Sequence, residues 1–156
     1  MPYPGAGSSR MTFRQAILAT LIVVFLALTI IQRIAHRKQL ERREITIQRL
    51  LIVREGLERY AVDNAGRFPP PEPGLKLLIS PPPPDMKPKP LRWRGPYVPS
   101  AETLLDGWGR PFHYCLGGPG DPPPPYQLWS SGADNSDGGT GMDADINVWQ
   151  PDTLVP

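Results

Sequence analysis

An uncharged run of eighteen residues, 15–32, leaves this chain of 156 residues few ways to fold in water. Residues 16–31 of the run are almost wholly apolar. As an α-helix, such a run extends about 24–27 Å, which is close to the ~30 Å thickness of a bilayer core. The run therefore predicts a transmembrane segment over residues 15–32, preceded by a short N-terminal segment, residues 1–14.

A cleaved secretory signal is the competing interpretation of this run. Such signals have an apolar core of about 7–15 residues that ends at a small-residue cleavage site. Here the run is followed by Arg33, Ile34 and a basic stretch that starts at His36, with no small-residue site between them. We therefore favour a retained anchor.

Basic residues flank the run on both sides, so the charges alone leave its orientation open. Two arginines, Arg10 and Arg14, precede the run, whereas five basic residues lie between Arg33 and Arg43. A plain positive-inside count would place the C-terminal side in the cytoplasm. That count loses weight where a long translocated domain follows the span.

The helical pattern continues beyond the apolar run with a single apolar stripe. Ile47, Leu50 and Leu57 recur at helical spacing, with Arg49 and other charged residues on the opposite side. A glycine at position 66 and a proline at 69 supply a stop. The pattern predicts one helix over residues 16–63. The segment 33–65, which includes the end of this helix and its stop, is predicted to be an amphipathic continuation that packs on a small domain.

The remaining residues, 66–156, predict a domain of short elements joined by long loops. Twelve prolines lie between residues 69 and 99, which favours extended loops with one short helix at 74–80. Strand candidates are 111–116, 126–130 and 145–149. A long helix beside a few short antiparallel strands predicts an α+β fold, in which the helix stripe completes the core.

The charge distribution excludes several classes of function. Residues 1–63 carry ten basic and five acidic side chains, whereas 64–156 carry seven and ten. Nothing in this distribution indicates a folded basic face of the kind that nucleic-acid binding favours, so no nucleic-acid partner is expected. The single cysteine excludes a disulfide scaffold and a zinc site built on several cysteines.

One loop, residues 130–146, concentrates acidic side chains on a glycine-rich backbone. Its aspartates are residues 134, 137, 143 and 145, and no lysine or arginine follows position 121. Oxygen ligands on such a backbone suit Ca²⁺, although a solvated acidic loop is an equally simple interpretation. The spacing fails the EF-hand pattern, and the glycine-rich nonapeptide pattern occurs only once.

Catalytic interpretations of the same residues are weak. Ser130, Ser131 and His113 lie outside any G-x-S-x-G context. Carboxylates on a flexible glycine loop would be poorly held for acid–base chemistry. We therefore predict no catalytic residues and no enzymatic activity, and rank an anchored hydrolase last among the alternatives.

Several fragments occur in a fixed order along the chain: LERYAVDNAGRFP at 57–69, GL at 74–75, WRGPYV at 93–98, DGWGRPFHY at 106–114, SGAD at 131–134, GG at 138–139 and DINVW at 145–149. This series resembles the protein G family, the major pseudopilins of bacterial type II secretion systems. Each fragment is weak by itself, whereas the ordered series over residues 45–150 is specific.

This resemblance implies a type IV pilin-like fold, a long N-terminal helix packed on a small antiparallel sheet. It implies a single-pass inner-membrane protein with a cytoplasmic N-terminus and a periplasmic domain over 66–156. It implies self-association, or association with other pseudopilins, through the helix into a periplasmic pseudopilus that helps to export folded proteins. The family also binds calcium in the matching loop, which carries over to the Ser131 carbonyl and to the side chains of Asp134 and Asp145, with Asp143 as a further candidate.

The N-terminus departs from the family pattern. Arg10 stands where a pilin-type signal has glycine, and Gln15 stands where the mature helix has glutamate. These departures favour an alternative function, a permanently membrane-anchored periplasmic adaptor that keeps the pseudopilin fold and does not polymerise.

Overall fold

The computed structural model describes residues 12–117 and 124–154. Predictions that fall on residues 1–11, including the one on Arg10, lie outside the described residues. The elements are one α-helix, α1 (Phe13–Asp63), three strands, β1 (His113–Leu116), β2 (Tyr126–Ser130) and β3 (Ile146–Asn147), and three 3₁₀ helices (Gly74–Leu78, Ala101–Leu104 and Pro151–Leu154). The chain divides into two compact units, Met1–Arg37 and Lys38–Pro156.

The described part of the first unit is helical, and its apolar side chains are exposed. Phe13 is 81% exposed, and Phe25 is 67% exposed. This part of α1 is long and apolar enough to cross a membrane, and none of its most apolar window is buried by the rest of the protein. A water-soluble protein would have to bury this surface, so its exposure fits membrane anchoring.

Helix α1 begins three residues before the predicted start at residue 16. The side-chain oxygen of Gln15 accepts a hydrogen bond from the backbone N–H of Thr12 (2.9 Å). This contact is one half of a capping box, in which a Gln or Glu reaches back to the first free N–H group of the helix. The helix thus begins before the apolar run, and Gln15 pairs with the backbone at its first turn.

The second unit buries the predicted apolar stripe of α1. Leu50, Val53 and Leu57 are fully buried. Arg49, which the helical pattern placed on the opposite side, is only partly exposed and donates to the carbonyls of Leu105 and Asp106 (3.1 and 3.2 Å). A loop packs over this flank of α1, and a periodicity count cannot reveal such a contact.

The C-terminal end of α1 lies at Asp63, as predicted. Ala65 and Gly66 have positive φ values of 54° and 78°. The N–H of Gly66 donates to the carbonyl of Ala61 (2.8 Å), as in a Schellman-type cap. Asn64 is buried and holds the end in place, because its amide donates to the Tyr60 carbonyl (2.8 Å).

The three strands form one antiparallel sheet in the order β1-β2-β3. Strand β2 has the predicted bounds, whereas β1 starts two residues later than predicted and β3 is reduced from 145–149 to two residues. Pro111 makes only an isolated bridge, with Leu105, and proline has no N–H for the ladder. The Asn147 side chain accepts from the N–H of Trp149 (2.9 Å), which turns the chain out of β3.

The core lies between the second part of α1 and the sheet. Leu50 and Leu57 from the helix, Leu128 from β2 and Ile146 from β3 belong to one buried apolar cluster and are fully inaccessible. Gly56 marks the closest approach to the 96–98 segment, because a Cβ there would lie 2.8 Å from Val98 Cγ1. The α+β arrangement of a long N-terminal helix on a small antiparallel sheet is confirmed.

Candidate calcium loop and the adjoining turn

A turn at residues 106–110 lies beside the acidic loop and contains a carboxylate that the protein itself neutralises. Asp106 is 2% exposed. Its Oδ1 accepts from the N–H groups of Trp108 and Arg110 (both 2.9 Å). Its Oδ2 accepts from the hydroxyl of Ser130 (2.9 Å) and lies 3.0 Å from the Arg110 guanidinium. Both carboxylate oxygens are therefore fully paired.

Arg110 connects this turn to the acidic loop. Its guanidinium donates to the carbonyl of Gly132, two residues past the end of β2. The same guanidinium lies over the Trp108 ring, 5.3 Å from the ring centroid. The guanidinium is thus held between the Asp106 carboxylate, an aromatic face and the start of the loop.

The turn is docked directly on α1. The N–H of Gly107 donates to Thr46 Oγ1, and the indole N–H of Trp108 donates to Gln39 Oε1 (both 2.8 Å). A Cβ at Gly107 would lie 2.0 Å from the Arg42 carbonyl oxygen, so no other residue fits there without a backbone shift. Helix, turn and loop therefore form one connected framework.

The acidic loop has a defined backbone path. Five of its residues have positive φ, which glycine adopts freely and asparagine tolerates: Gly132, Asn135, Gly138, Gly139 and Gly141. The N–H of Ala133 donates to the Met142 carbonyl (3.0 Å), and the N–H of Asp145 donates to the Gly138 carbonyl (3.1 Å). The two arms of the loop are thus closed on each other.

Two glycines allow this close approach. A Cβ at Gly132 or at Gly139 would lie 2.5 Å from the Asp143 carbonyl oxygen. The loop is therefore compact near its base, and its glycines leave room for the carbonyl of residue 143.

The predicted calcium ligands lie in different environments. Ser131 is buried, and its hydroxyl pairs with His113 Nε2 at 3.2 Å. Asp134 and Asp143 are exposed, and Asp134 Oδ1 accepts from the N–H of Ser136 (3.1 Å). Asp145 is partly buried, and its Oδ2 accepts from the N–H of Gly138 (3.0 Å).

The second oxygen of Asp145 lies in a different environment from the first. Asp145 Oδ1 is buried and makes no hydrogen bond within the described residues. A buried carboxylate oxygen without a donor costs about 1–3 kcal/mol or more. The loop thus presents an unsatisfied anionic oxygen, which is an arrangement that a cation would stabilise.

The structure does not gather the predicted carboxylates into a dense cluster. In residues 12–117 and 124–154, no three His, Cys, Asp or Glu side chains are close enough together to hold a metal. A calcium site here would thus need backbone carbonyls as well, which Ca²⁺ accepts readily among its 6–8 oxygen ligands. The Ser131 carbonyl was predicted for such a role.

Reasoning from the individual residues missed the contribution of Asp106, Arg110 and Ser130. The segment DGWGR was noted only as part of a family resemblance. An aspartate followed by glycine signals a turn, but nothing in the local sequence shows that its carboxylate lies against the end of β2, 24 residues away.

An apolar cavity of about 640 Å³ lies against the 3₁₀ helix Gly74–Leu78. Its walls include Leu75, Leu104 and Phe112. No carboxylate or histidine is among its described lining residues.

Comparison with known proteins places this arrangement in one family. The sequence profile described as type II secretion system (T2SS), protein G, matches residues 33–149, about three quarters of the chain. The type II secretion system core protein G of Pseudomonas aeruginosa is 27% identical over 142 residues, which cover 90% of this chain and 94% of that protein. The protein of the same name from Vibrio cholerae is 26% identical over 139 residues, covering 88% and 89%.

A solved structure agrees with these sequence matches. The major pseudopilin from the type 2 secretion system of enterohaemorrhagic Escherichia coli superimposes with a TM-score of 0.54 at 26% identity. The match covers 73% of this chain and 87% of that one. The type IV pilin-like fold and the prediction that the chain is not an enzyme are both confirmed. The chain belongs to the protein G family of type II secretion systems and is a structural subunit of the pseudopilin class.

Proposed function

We propose that this chain is a calcium-stabilised pseudopilus subunit anchored in the inner membrane. Residues 15–32 span the membrane, residues 1–14 are cytoplasmic, and residues 33–65 continue the helix into the periplasm. The domain over 66–156 is periplasmic, and loop 130–146 binds Ca²⁺. The observation that carries the calcium proposal is the buried, unpartnered Oδ1 of Asp145.

The charges around the loop support a bound cation. No lysine or arginine follows Arg110 in the sequence, and the guanidinium of Arg110 is already paired with Asp106. Residues 111–156 therefore supply no lysine or arginine that could neutralise the aspartates of the loop. A divalent cation would satisfy Asp145 Oδ1 and reduce the repulsion among the aspartates of the loop.

The proposed ligands are the four predicted from the sequence. Asp145 contributes its free oxygen, Asp134 and Asp143 contribute exposed carboxylates, and Ser131 contributes its carbonyl. When bound, the ion supplies positive charge and binds together the two arms of the loop. The chain's own residues shape the loop, because Arg110 fixes the Gly132 carbonyl and the glycines permit the turn.

Exposed apolar side chains on the second part of α1 support association with other pseudopilins. Ile45, Leu51 and Val62 are 41%, 44% and 82% exposed. These exposed side chains offer an apolar surface to a neighbouring helix. The alternative of a non-polymerising adaptor shares the same fold and stays a prediction.

Calcium removal tests the metal proposal on the full chain in detergent micelles. Trp93, Trp108, Trp129 and Trp149 all lie in the second unit, so their near-UV circular dichroism follows its unfolding. Calcium at 100 times its Kd should add about 2.7 kcal/mol, since it binds the folded loop and not the unfolded chain. We expect the Tm to rise by roughly 10 °C over the value in EGTA.

An isosteric variant and a matched control locate the effect. Asp145→Asn should remove the calcium-dependent rise in Tm, whereas Asp152→Asn, an exposed aspartate in the last 3₁₀ helix, should retain it. Identical melting curves of the unmodified protein in calcium and in EGTA would contradict the proposal. An equal response of both variants would show that the ion binds elsewhere.

A further inference from the structure

Five residues at the end of the apolar run share one face of α1. Thr29 is followed three or four residues later by Gln32 and Arg33, and these are followed at the same spacing by His36 and Arg37, so the five form one stripe of the helix surface. Together they border a groove of about 390 Å³. We call this stripe the basic groove. It lies entirely within the first unit of the chain.

The basic groove carries positive charge without a carboxylate nearby in the sequence. Residues 12–37 include no aspartate or glutamate, and the next carboxylate along the chain is Glu41. The side chains of Arg33, His36 and Arg37 are exposed. Within the described residues, none of the three makes a side-chain hydrogen bond or ion pair, so their donors are free to bind an anion.

The position of the basic groove along the helix matches the edge of a bilayer. Thr29 lies within the apolar run, and Arg37 lies five residues beyond its end at residue 32. At 1.5 Å per residue, Arg37 is about 7.5 Å beyond the span. The headgroup layer occupies about 5–8 Å on each side of the hydrocarbon core, so the groove spans that layer.

We propose that the basic groove binds the phosphate of an anionic phospholipid. Guanidinium groups match phosphate oxygens in a bidentate geometry, and Arg33 and Arg37 are one turn apart on the same face. The amide of Gln32 offers a further donor at the membrane side of the groove. The acyl chains of such a lipid would lie against the exposed apolar surface of the same helix, which a soluble acidic peptide would not cover.

Native mass spectrometry of the full chain, released from a neutral detergent, measures this binding. The protein is equilibrated with equal amounts of phosphatidylglycerol and phosphatidylcholine of identical acyl chains. Each basic residue near a membrane surface raises the affinity for anionic lipid several-fold, so two arginines predict a preference for phosphatidylglycerol of roughly 20-fold. We expect R33Q/R37Q to retain both lipids equally.

A matched double variant separates a local site from overall charge. R67Q/R92Q removes the same two charges from exposed arginines of the second unit and should keep the preference for phosphatidylglycerol. Equal retention of the two lipids by the unmodified chain overturns the proposal and leaves an acidic side chain of a neighbouring subunit as the occupant. Equal loss of preference in both double variants also overturns it, because net charge alone would then explain the binding.

Discussion

The turn at 106–110 and the loop at 130–146 both contain aspartates, but the fold treats their carboxylates differently. Asp106 receives two backbone N–H groups, a hydroxyl and a guanidinium, and it is buried. Asp145 receives one backbone N–H on Oδ2, and its other oxygen is buried without a partner among residues 12–117 and 124–154. One carboxylate is therefore neutralised by its neighbours in the fold, whereas the other keeps an oxygen that none of the described residues pairs.

This difference shows which acidic residues belong to the framework and which belong to a site. Asp106 connects α1, through the adjoining Gly107 and Trp108, to the end of β2. Replacing it should damage the protein whether or not calcium is present. Replacing Asp145 should lower stability only when calcium is present, so the two substitutions have different signatures.

The largest expected effect is that of Asp106→Asn. The amide keeps the shape but removes the charge that pairs with the partly buried Arg110. Breaking one side of a buried ion pair costs about 3–5 kcal/mol. We expect a loss of this size in urea unfolding of the full chain in micelles, followed by tryptophan fluorescence, both in calcium and in EGTA.

The exposed Glu102→Gln serves as its control and should change stability by less than about 0.5 kcal/mol. A loss on Asp106→Asn that appears only in calcium would assign Asp106 to the ion site and remove the distinction between the two loops.

The sequence predicted the elements whose signals are local. The apolar stripe of α1, its end at Asp63 and the bounds of β2 follow from periodicity and turn residues within a few positions. Strand β1 starts late because Pro111 forms only an isolated bridge with Leu105. Strand β3 is short because the Asn147 side chain accepts a hydrogen bond from the N–H of Trp149. Such tertiary contacts are not encoded in any short window.

The candidate site was predicted only in part for the same reason. Aspartates in a glycine-rich loop were visible from composition, but the distinction between the exposed Asp134 and the partly buried Asp145 required the folded backbone. The role of Arg110 depends on contacts with Asp106 and with Gly132, which is 22 residues further along the chain. No pattern of spacing predicts that contact.

The second-largest expected effect, after that of Asp106→Asn, concerns the backbone of the acidic loop. Gly139 and Gly141 both have positive φ (81° and 63°), but only Gly139 is close to another part of the chain. Gly141→Ala should cost about 1–2 kcal/mol from the left-handed conformation alone. Gly139→Ala should cost more, because its Cβ would overlap the Asp143 carbonyl. Urea unfolding in EGTA measures both.

The same pair sharpens the comparison between turn and loop when calcium is added. Gly139→Ala displaces the backbone that carries Asp143, so it should also weaken the calcium-dependent stabilisation, whereas Gly141→Ala should leave most of it. If both variants lost the same share of the calcium-dependent stabilisation, the close approach at Gly139 would not be what holds the loop in shape.

The smallest effect extends the contrast between paired and unpaired groups to two neutral tyrosines. The Tyr114 hydroxyl donates to the Pro69 carbonyl (2.7 Å), whereas the buried Tyr126 hydroxyl has no partner within the described residues. At pH 7, Tyr114→Phe should lose about 1 kcal/mol, and Tyr126→Phe should be neutral or slightly stabilising. Urea unfolding at pH 7 measures both differences.

Alkaline pH provides an independent test of the same tyrosine. Burial, with a smaller contribution from Glu58, raises the pKa of Tyr126 from 10.0 to about 12. The folded state thus holds this proton more tightly than the unfolded chain, so its contribution is complete below pH 10 and declines as the pH rises from 10 through 12. The free energy of unfolding should therefore fall less between pH 9 and 11 in Tyr126→Phe than in the unmodified chain. Part of the decrease should remain, because burial also raises the pKa values of Tyr60, Tyr97 and Tyr114. An unchanged slope in the variant would show that the Tyr126 hydroxyl already reaches water or a donor, in which case it is no counterpart of the unpaired oxygen of Asp145.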